Sequence, residues 1–170
     1  MSKRVLVCYA TKTGSTTGVA QAIGEVLSER GYTVDVTPIN ERPDVSGYDA
    51  VLLGSAVNGG KWLPEAVQFA ERNAAALGTV PTSIFSVHIM NLGDDEKATR
   101  KRRAYTTAVR TIVSPAAEAF FAGKGPDAAE TSLIARWAFK AFGGGGEGDC
   151  RDWDAIKGWA RQVHLDRVVV

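Results

Sequence analysis

Hydroxyl side chains are concentrated in a short stretch near the amino end, which consists of Thr11, Lys12, Thr13, Gly14, Ser15 and Thr16. The apolar run at 5–8 before it is typical of a strand covered on both faces of a parallel sheet. Apolar residues then recur at helical spacing from Val19 to Leu27, which predicts a helix capped by Thr16 or Thr17. A helix N-terminus offers unpaired N–H groups and a positive dipole end, so this stretch suits an anion such as a phosphate. A turn that only caps the helix would need one hydroxyl.

The spacing of these residues differs from two common nucleotide motifs. A triphosphate loop needs G-x-x-x-x-G-K-[ST], and a dinucleotide turn needs G-x-G-x-x-G after the first strand; neither is present there. The glycine run at 143–148 meets the second pattern only because it is rich in glycine, and no strand is expected before it. The stretch at 11–16 instead resembles the flavodoxins, whose T-x-T-G-x-T loop holds the 5′-phosphate of FMN. This resemblance implies FMN as the cofactor.

The rest of the chain alternates between strand and helix patterns. Strands are expected at residues 5–8, 32–38, 49–54, 81–87 and 116–122, and helices from the hydroxyl stretch to Gly31, at 63–77 and at 96–113. Short links between them predict an α/β fold, a doubly wound parallel sheet with helices on both faces. Five strands suit the flavodoxin-like order 2-1-3-4-5. Ligands in such a sheet bind beyond the carboxyl ends of the strands, where the strand order reverses.

Two more loops are expected to meet the hydroxyl stretch at that crevice. They supply the remaining candidate cofactor-binding residues, which are Ser55, Ala56, Val57, Asn58, Gly59, Gly60, Lys61, Trp62, Ser86, Val87, His88 and Met90. Glycines such as Gly54, Gly59 and Gly60 would let the backbone approach the edge of a flavin ring. Trp62 is the candidate for an aromatic lid over that ring, with packing on the next helix as the alternative.

His88 is the candidate catalytic residue. A histidine at the mouth of the crevice titrates near neutral pH, so it would steady a reduced, anionic flavin or carry a proton. The alternative is a polar surface residue without a role. The loop 86–95 lacks the second aromatic side chain that many flavodoxins place there, which would leave one ring face open to a substrate. The run Arg100–Arg103 is expected to be a solvated helix face.

Composition excludes several classes of function. The 170 residues include 20 basic and 19 acidic ones, and the net charge of +1 argues against nucleic acid as a partner. The two cysteines, Cys8 and Cys150, make no disulfide framework and no metal pattern, so no metal is expected. A chain of this length fits one domain, residues 1–170. No apolar run is long enough to span a bilayer, so we expect a cytoplasmic protein, with the inner face of the cell membrane as a second position.

The carboxyl-terminal part is longer than a closing helix requires. A helix at 129–142 and the glycine run at 143–148 predict a helical insert at about 127–148, followed by a last helix capped by Asp152. The helix has an apolar surface and two cations, Arg136 and Lys140, a combination suited to a lipid headgroup region. Packing of its apolar side chains on the domain is the alternative.

A narrower resemblance covers nearly the whole chain. The loop 54–62, the strand Phe85-Ser-Val87, the strand end Phe121-Ala-Gly123, the insert and the segment Asp152-Trp-Asp154 resemble the menaquinone-dependent protoporphyrinogen IX dehydrogenases, a branch of the flavodoxin fold. Membership would imply an FMN-dependent dehydrogenase that oxidises a reduced tetrapyrrole and passes electrons to a quinone at the membrane.

Two other functions stay open from the sequence. The chain could be a flavodoxin-type electron carrier that docks to redox protein partners, although such carriers are typically strongly acidic. It could also be a flavodoxin-fold module without flavin that only binds partners. The electron donor, whether a small molecule or a redox protein, and the oligomeric state are not given by the sequence.

Overall fold

The computed structural model describes residues 1–125, 132–141 and 148–166. The strands are β1 (Arg4–Ala10), β2 (Thr33–Pro38), β3 (Ala50–Asn58), β4 (Lys61–Trp62), β5 (Thr82–His88) and β6 (Glu118–Ala122). The helices are α1 (Ser15–Glu29), α2 (Pro64–Arg72), α3 (Ala74–Leu77), α4 (Glu96–Ala104), α5 (Thr107–Arg110), α6 (Leu133–Ala141) and α7 (Trp153–Gln162), with one 3₁₀ turn at Ile39–Glu41.

The sheet has the order β2-β1-β3-β5-β6, and all of these strands are parallel. The predicted doubly wound α/β fold is therefore confirmed. The numbering differs from the expected 2-1-3-4-5 because the short strand β4 pairs antiparallel with the end of β3. The sequence predicted a turn there, and the five parallel strands alone keep the expected order.

Both faces of the sheet are covered by helices. Val5 and Val7 of β1 belong to the core under α1 and α7, whereas Leu6 and Cys8 belong to the core under α2 on the opposite face. All four of these side chains are fully buried. The continuous apolar run of β1 follows from this arrangement, since successive side chains of a strand point to opposite faces.

Helix α1 begins and ends at glycines in the left-handed region. Gly14, with φ of 90°, is the N-cap residue, so the predicted cap at Thr16 or Thr17 is wrong: both lie inside the first turn. At the other end, Gly31 follows the C-cap and has φ of 91°. Its N–H donates to Ser28 O, and the next N–H donates to Leu27 O, which is the Schellman pattern. The predicted stop at Gly31 is confirmed.

Two of the expected helices are broken. The helix expected at 63–77 divides at Asn73, whose side-chain amide donates to Phe69 O. The helix expected at 96–113 divides at Tyr105 and Thr106, where the Thr106 hydroxyl hydrogen-bonds the Glu118 carboxylate of β6. Local side-chain bonds and tertiary partners thus override the helical composition.

The carboxyl-terminal helix α7 is capped as expected, because the Asp152 side chain accepts from Ala155 N at 3.0 Å. Of the predicted insert, the structure describes only residues 132–141 and 148; the rest lies outside the described residues. The chain segments on either side of it meet. Gly125 N donates to Gly148 O at 2.7 Å, and the backbones of Lys124 and Asp149 form an isolated antiparallel β-bridge. No helix in the described part of the chain is long and apolar enough to cross a membrane.

Candidate functional site

The candidate site lies at the carboxyl edge of the sheet. Strand β1 has β2 on one side and β3 on the other, so the strand order reverses between β1 and β3. The segments that leave β1, β3 and β5 at this edge are the three loops expected from the sequence. A crevice at such a reversal is where ligands bind in open α/β sheets.

The first loop, residues 11–14, contains a hydrogen bond between a side chain at its start and a backbone N–H at its end. The Thr11 hydroxyl oxygen accepts from Gly14 N at 2.9 Å, and Gly14 has no side chain with which to cap α1. The first-turn N–H groups of α1 therefore have no side-chain cap. Lys12, Thr13 and Gly14 are exposed, so the loop presents donors to a ligand from outside.

Thr16 is the most informative residue of this loop. Its side chain is fully buried in the first turn of α1, and its Oγ1 has no hydrogen-bond partner among the described residues. Ser83 in β5 carries the other such atom. A buried hydroxyl without a partner costs free energy. At a helix N-terminus this hydroxyl is suited to complete its bonding with an anionic ligand.

The second loop is a β-hairpin. Strand β3 continues to Asn58 and returns as β4 through Gly59 and Gly60, whose φ values are 60° and 74°. Both values fit the left-handed central positions of a tight hairpin turn. Residues 58–61 are exposed, and Ala56 and Val57 are half-buried. The tip of the hairpin is thus the part of this loop that a ligand reaches.

Two candidate residues of this loop support it from within. The Ser55 hydroxyl accepts from Leu63 N at 3.1 Å and donates to Ala56 O at 2.8 Å. Trp62 is 4 % exposed and packs in the core under α2, and its Nε1 donates to Ser86 Oγ at 2.7 Å. The predicted lid is therefore not seen: the indole and Ser86 are buried partners, and the packing alternative describes Trp62.

The third loop begins at His88. Val87 is buried against the α1 face, and His88 points to the opposite face, where its ring contacts Tyr105 and Phe120. Its Nδ1 lies 2.6 Å from Met90 O. A carbonyl only accepts, so Nδ1 carries the proton and Nε2 is the free acceptor of a neutral ring. Burial, with the nearby Arg102 charge, lowers the pKa of His88 below 6.5.

His88 is thus not a surface group at the mouth of the crevice, as the sequence suggested, since only 4 % of it is exposed. It lines a groove of about 390 Å³ along β6, together with Leu92, Asp94, Arg102 and Phe120. A neutral imidazole whose Nδ1 is already bonded is able to accept a proton at Nε2.

Sequence reasoning missed Arg102. The run 100–103 was expected to be a solvated face, and Arg100 does pair with Glu96 at the surface. Arg102 instead donates from Nη1 to Asn91 O and Gly93 O, at 2.6 and 2.5 Å. The sequence did not indicate these bonds, because the partners of Arg102 are backbone carbonyls of a loop without a regular pattern.

The family model for the flavodoxin domain matches residues 6–127. The chain belongs to the flavodoxin domain family. The match spans the first loop, the hairpin and β5, and it ends where the predicted insert begins. FMN, the cofactor expected from the sequence, is the cofactor of this family, and the chain is a flavodoxin-like FMN oxidoreductase.

Individual relatives agree with this assignment. The protoporphyrinogen IX dehydrogenase [quinone] of Escherichia coli (strain K12) is 24% identical over 180 aligned positions, which cover 95% of this chain and 96% of that protein. A flavodoxin of Streptococcus pneumoniae TIGR4 has the same fold, with a TM-score of 0.56, 15% identity and coverage of 94% and 96%. A Fusobacterium nucleatum flavodoxin bound to flavin mononucleotide gives 0.52, 11% identity and 70% coverage of each chain.

The described residues of this flavodoxin-domain protein fit FMN better than a metal. No group of three or more metal-ligating side chains occurs in the part of the chain that the structure describes. Burial raises the pKa of the Cys8 thiol to about 12, so Cys8 is a core residue and not a nucleophile. The unpartnered Thr16 hydroxyl and the uncapped turn of α1 match the donors that a phosphate needs.

Proposed function

We propose that this flavodoxin-domain protein is an FMN-dependent dehydrogenase that takes electrons from a reduced organic substrate and passes them to a quinone. The observation that carries the FMN site is the fully buried Thr16 hydroxyl, without a partner among the described residues, at the uncapped start of α1. The phosphate group of FMN would satisfy this hydroxyl and the N–H groups beside it.

The proposed binding residues fall into two groups. The phosphate is assigned to the first loop, where Thr11, Lys12, Thr13, Gly14, Ser15 and Thr16 supply hydroxyl, ammonium and backbone donors. The ring is assigned to the crevice between the exposed hairpin tip, residues 58–61, and the loop that contains Met90. Ser55, Trp62, Ser86 and Val87 contribute by holding these loops from inside the core.

FMN supplies the chemistry of hydride and electron transfer when it is bound. The chain positions it and supports the loops on either side. His88 is proposed to hold or accept a proton at Nε2, since Nδ1 is committed to Met90 O. Because its ring is buried, this role is served through the groove along β6 and not from bulk solvent.

An enzyme is favoured over an electron carrier by two features. The net charge of +1 gives the protein no strong acidic field for docking to basic redox proteins. The only aromatic side chain of the hairpin, Trp62, is buried, and residues 89–95 contain none, so no aromatic ring from these two loops covers the flavin. A substrate would then reach the ring directly.

A reduced tetrapyrrole of the protoporphyrinogen IX type is proposed as the substrate. This step depends on the curated relative, whose similarity extends over almost the full length of both chains. At 24% identity the similarity supports the class of reaction, and the substrate has to be tested directly.

Helix α6 supports a quinone acceptor at a membrane surface. Leu133, Ile134 and Trp137 are 79, 80 and 74% exposed, so they do not pack on the sheet. The helix also contains Arg136 and Lys140 in its sequence. Apolar side chains beside cations are typical of helices that lie in the headgroup region.

The proposal is tested with purified protein, FMN, protoporphyrinogen IX and a menaquinone analogue. We expect a yellow protein and formation of protoporphyrin that depends on both FMN and the quinone. A matched Thr16→Val variant should bind FMN more weakly, so at limiting FMN it should carry less flavin than the wild type and turn over less. A yellow protein without quinone-dependent turnover would contradict the dehydrogenase and favour the carrier; a colourless one would contradict the FMN site itself.

A further inference from the structure

Arg102 holds the loop that follows β5. Its Nη1 donates to the carbonyl oxygens of Asn91 and Gly93, and its Nη2 donates to Thr99 Oγ1 at 3.2 Å. A guanidinium is a rigid, planar set of donors, so bonds from one nitrogen to two carbonyls fix the loop relative to α4.

A second set of hydrogen bonds joins the same loop to Tyr105 and His88. Asn91 has the left-handed φ of 56°, and its side-chain amide donates to the Tyr105 hydroxyl at 2.6 Å. That hydroxyl donates to Met90 O at 3.3 Å, the same oxygen that accepts from His88. The carbonyl groups of Met90 and Asn91 are therefore both turned towards α4 and its neighbours.

The peptide N–H groups of the loop then point the other way. The described peptide bonds are all trans, and in a trans peptide the N–H is opposite to the C=O. The N–H groups of Asn91, Leu92 and Asp94 belong to the peptides whose carbonyls Arg102, Tyr105 and His88 hold. They are directed away from α4.

The charge of Arg102 is not neutralised by an acid. Arg100 pairs with Glu96 and Arg110 pairs with Glu118, but no described carboxylate forms an ion pair with Arg102. Its hydrogen-bond partners are two carbonyls and one hydroxyl, which carry no net charge.

Other carboxyl groups line the same groove, and two of them are engaged elsewhere. Glu118 pairs with Arg110, and Asp152 caps α7. Asp94 remains as the acid of the loop itself. His88, the other titratable group against Arg102, is held neutral by burial, which lowers its pKa. Among the described residues, Arg102 is the cation that lines this groove, so its removal would make the local charge more negative whatever Asp94 contributes.

We propose that Arg102 makes the bound flavin easier to reduce, because it places an unpaired positive charge and outward-facing amides at the ring-binding loop. Two-electron reduction with uptake of one proton leaves the flavin ring with one negative charge, which this environment stabilises relative to the oxidised ring. Such a setting favours acceptance of electrons from an organic donor. The inference rests on the proposed function only in requiring FMN in the crevice.

The test is the two-electron midpoint potential of bound FMN in the wild type and in Arg102→Gln, Arg102→Lys and Arg100→Gln. We expect Arg102→Gln to lower the preference for reduced over oxidised FMN about tenfold, which is about 30 mV for a two-electron couple. Arg102→Lys should restore most of the wild-type value. Arg100→Gln, on the exposed face of the same helix, should leave it unchanged.

Several outcomes would overturn the inference. One is an unchanged potential in Arg102→Gln with FMN still bound; another is an equal shift in Arg102→Lys, since the charge would then not be the cause. If Arg102→Gln fails to fold, the lysine variant and the salt dependence of the wild-type potential decide, because added salt should weaken the effect of the charge. Failure of the wild type to bind FMN would instead contradict the proposed function.

Discussion

The Trp62 indole donates a 2.7 Å hydrogen bond to Ser86 Oγ, and this bond joins the hairpin that follows β3 to the neighbouring strand β5. Both side chains are buried, Trp62 at 4 % and Ser86 at 0 % exposure. The bond therefore fixes the hairpin relative to the end of β5, where the loop that contains Met90 begins. The proposed ring site lies between these two loops. The bond also explains a tryptophan at this position without any contact to a ligand.

Removing either partner of this bond should destabilise the protein. Trp62→Phe and Ser86→Ala each leave a buried polar group or a gap, so we expect each to cost about 1–3 kcal/mol of unfolding free energy. The double variant should cost less than the sum, because the two residues share one interaction. Urea unfolding of the four proteins measures this coupling. Trp153→Phe, at a position 39% exposed, is the control, and an equal loss there would contradict the prediction.

Thr16→Val should separate cofactor binding from stability. The substitution keeps the shape of the side chain and removes the hydroxyl that has no partner among the described residues. We expect the protein without FMN to be as stable as the wild type or more so, while FMN binding weakens by about 1.5–3 kcal/mol through loss of a charge-assisted bond. Fluorescence titration with FMN and urea unfolding measure the two effects.

The control for that experiment is Thr17→Val, one residue further along the same turn. Thr17 is half-buried and has no unpartnered buried oxygen in the described structure. Its substitution should leave FMN affinity within about twofold of the wild type, a difference of about 0.4 kcal/mol. Similar losses of affinity in both variants would count against a specific role for the Thr16 hydroxyl.

Gly54 and Gly158 should respond in opposite directions to alanine. A Cβ at Gly54 would lie 2.1 Å from the Phe85 ring, so Gly54→Ala should cost about 1–3 kcal/mol or more. A Cβ at Gly158 of α7 would meet nothing within 4 Å, and Gly158→Ala should add about 0.4–1 kcal/mol. Thermal or urea unfolding measures both. A tolerated Gly54→Ala would mean that the glycine is not there for the packing of Phe85.

His88 should make the protein less stable in mild acid. Its pKa is lower in the folded protein than the ordinary 6.5, so the unfolded chain takes up its proton first. The contribution is fully present above about pH 6.5 and is lost as the pH falls towards the folded value. Urea unfolding between pH 7.5 and 5 should show a smaller loss in His88→Asn than in the wild type. The same loss in His88→Asn as in the wild type would contradict the prediction.

The parts of the fold that were predictable are those set by local pattern. The apolar run of β1 and the Schellman stop at Gly31 each follow from a few neighbouring residues. The break at Thr106 was not predictable, since it depends on a bond to Glu118 of β6, whereas the break at Asn73 was missed although its bond to Phe69 O is local. The hairpin was missed because a strand that continues through Ser55 has too little apolar pattern to be recognised.

The features of the candidate site that could be predicted are likewise those that depend on neighbouring residues in the sequence. The hydroxyl stretch is contiguous in sequence, so its position at the start of α1 could be predicted. The burial of Trp62 and the bonds of Arg102 depend on residues that are distant in the chain, Ser86 for one and Asn91 for the other. Gly54 was expected to let the backbone approach a flavin ring, and the structure adds a packing reason that the sequence did not show, since a Cβ there would meet the ring of Phe85.

The bond from Gly125 to Gly148 has a consequence for how this protein can vary. The chain leaves the end of β6 at Gly125 and is beside it again at Gly148, and the described residues between them, 132–141, contain helix α6 and no strand of the parallel sheet. Because Gly125 and Gly148 are hydrogen-bonded to each other, replacing the residues between them with a segment of different length would leave the ends of the parallel strands in place. The length and composition of that segment can therefore vary separately from the loops at the carboxyl edge of the sheet.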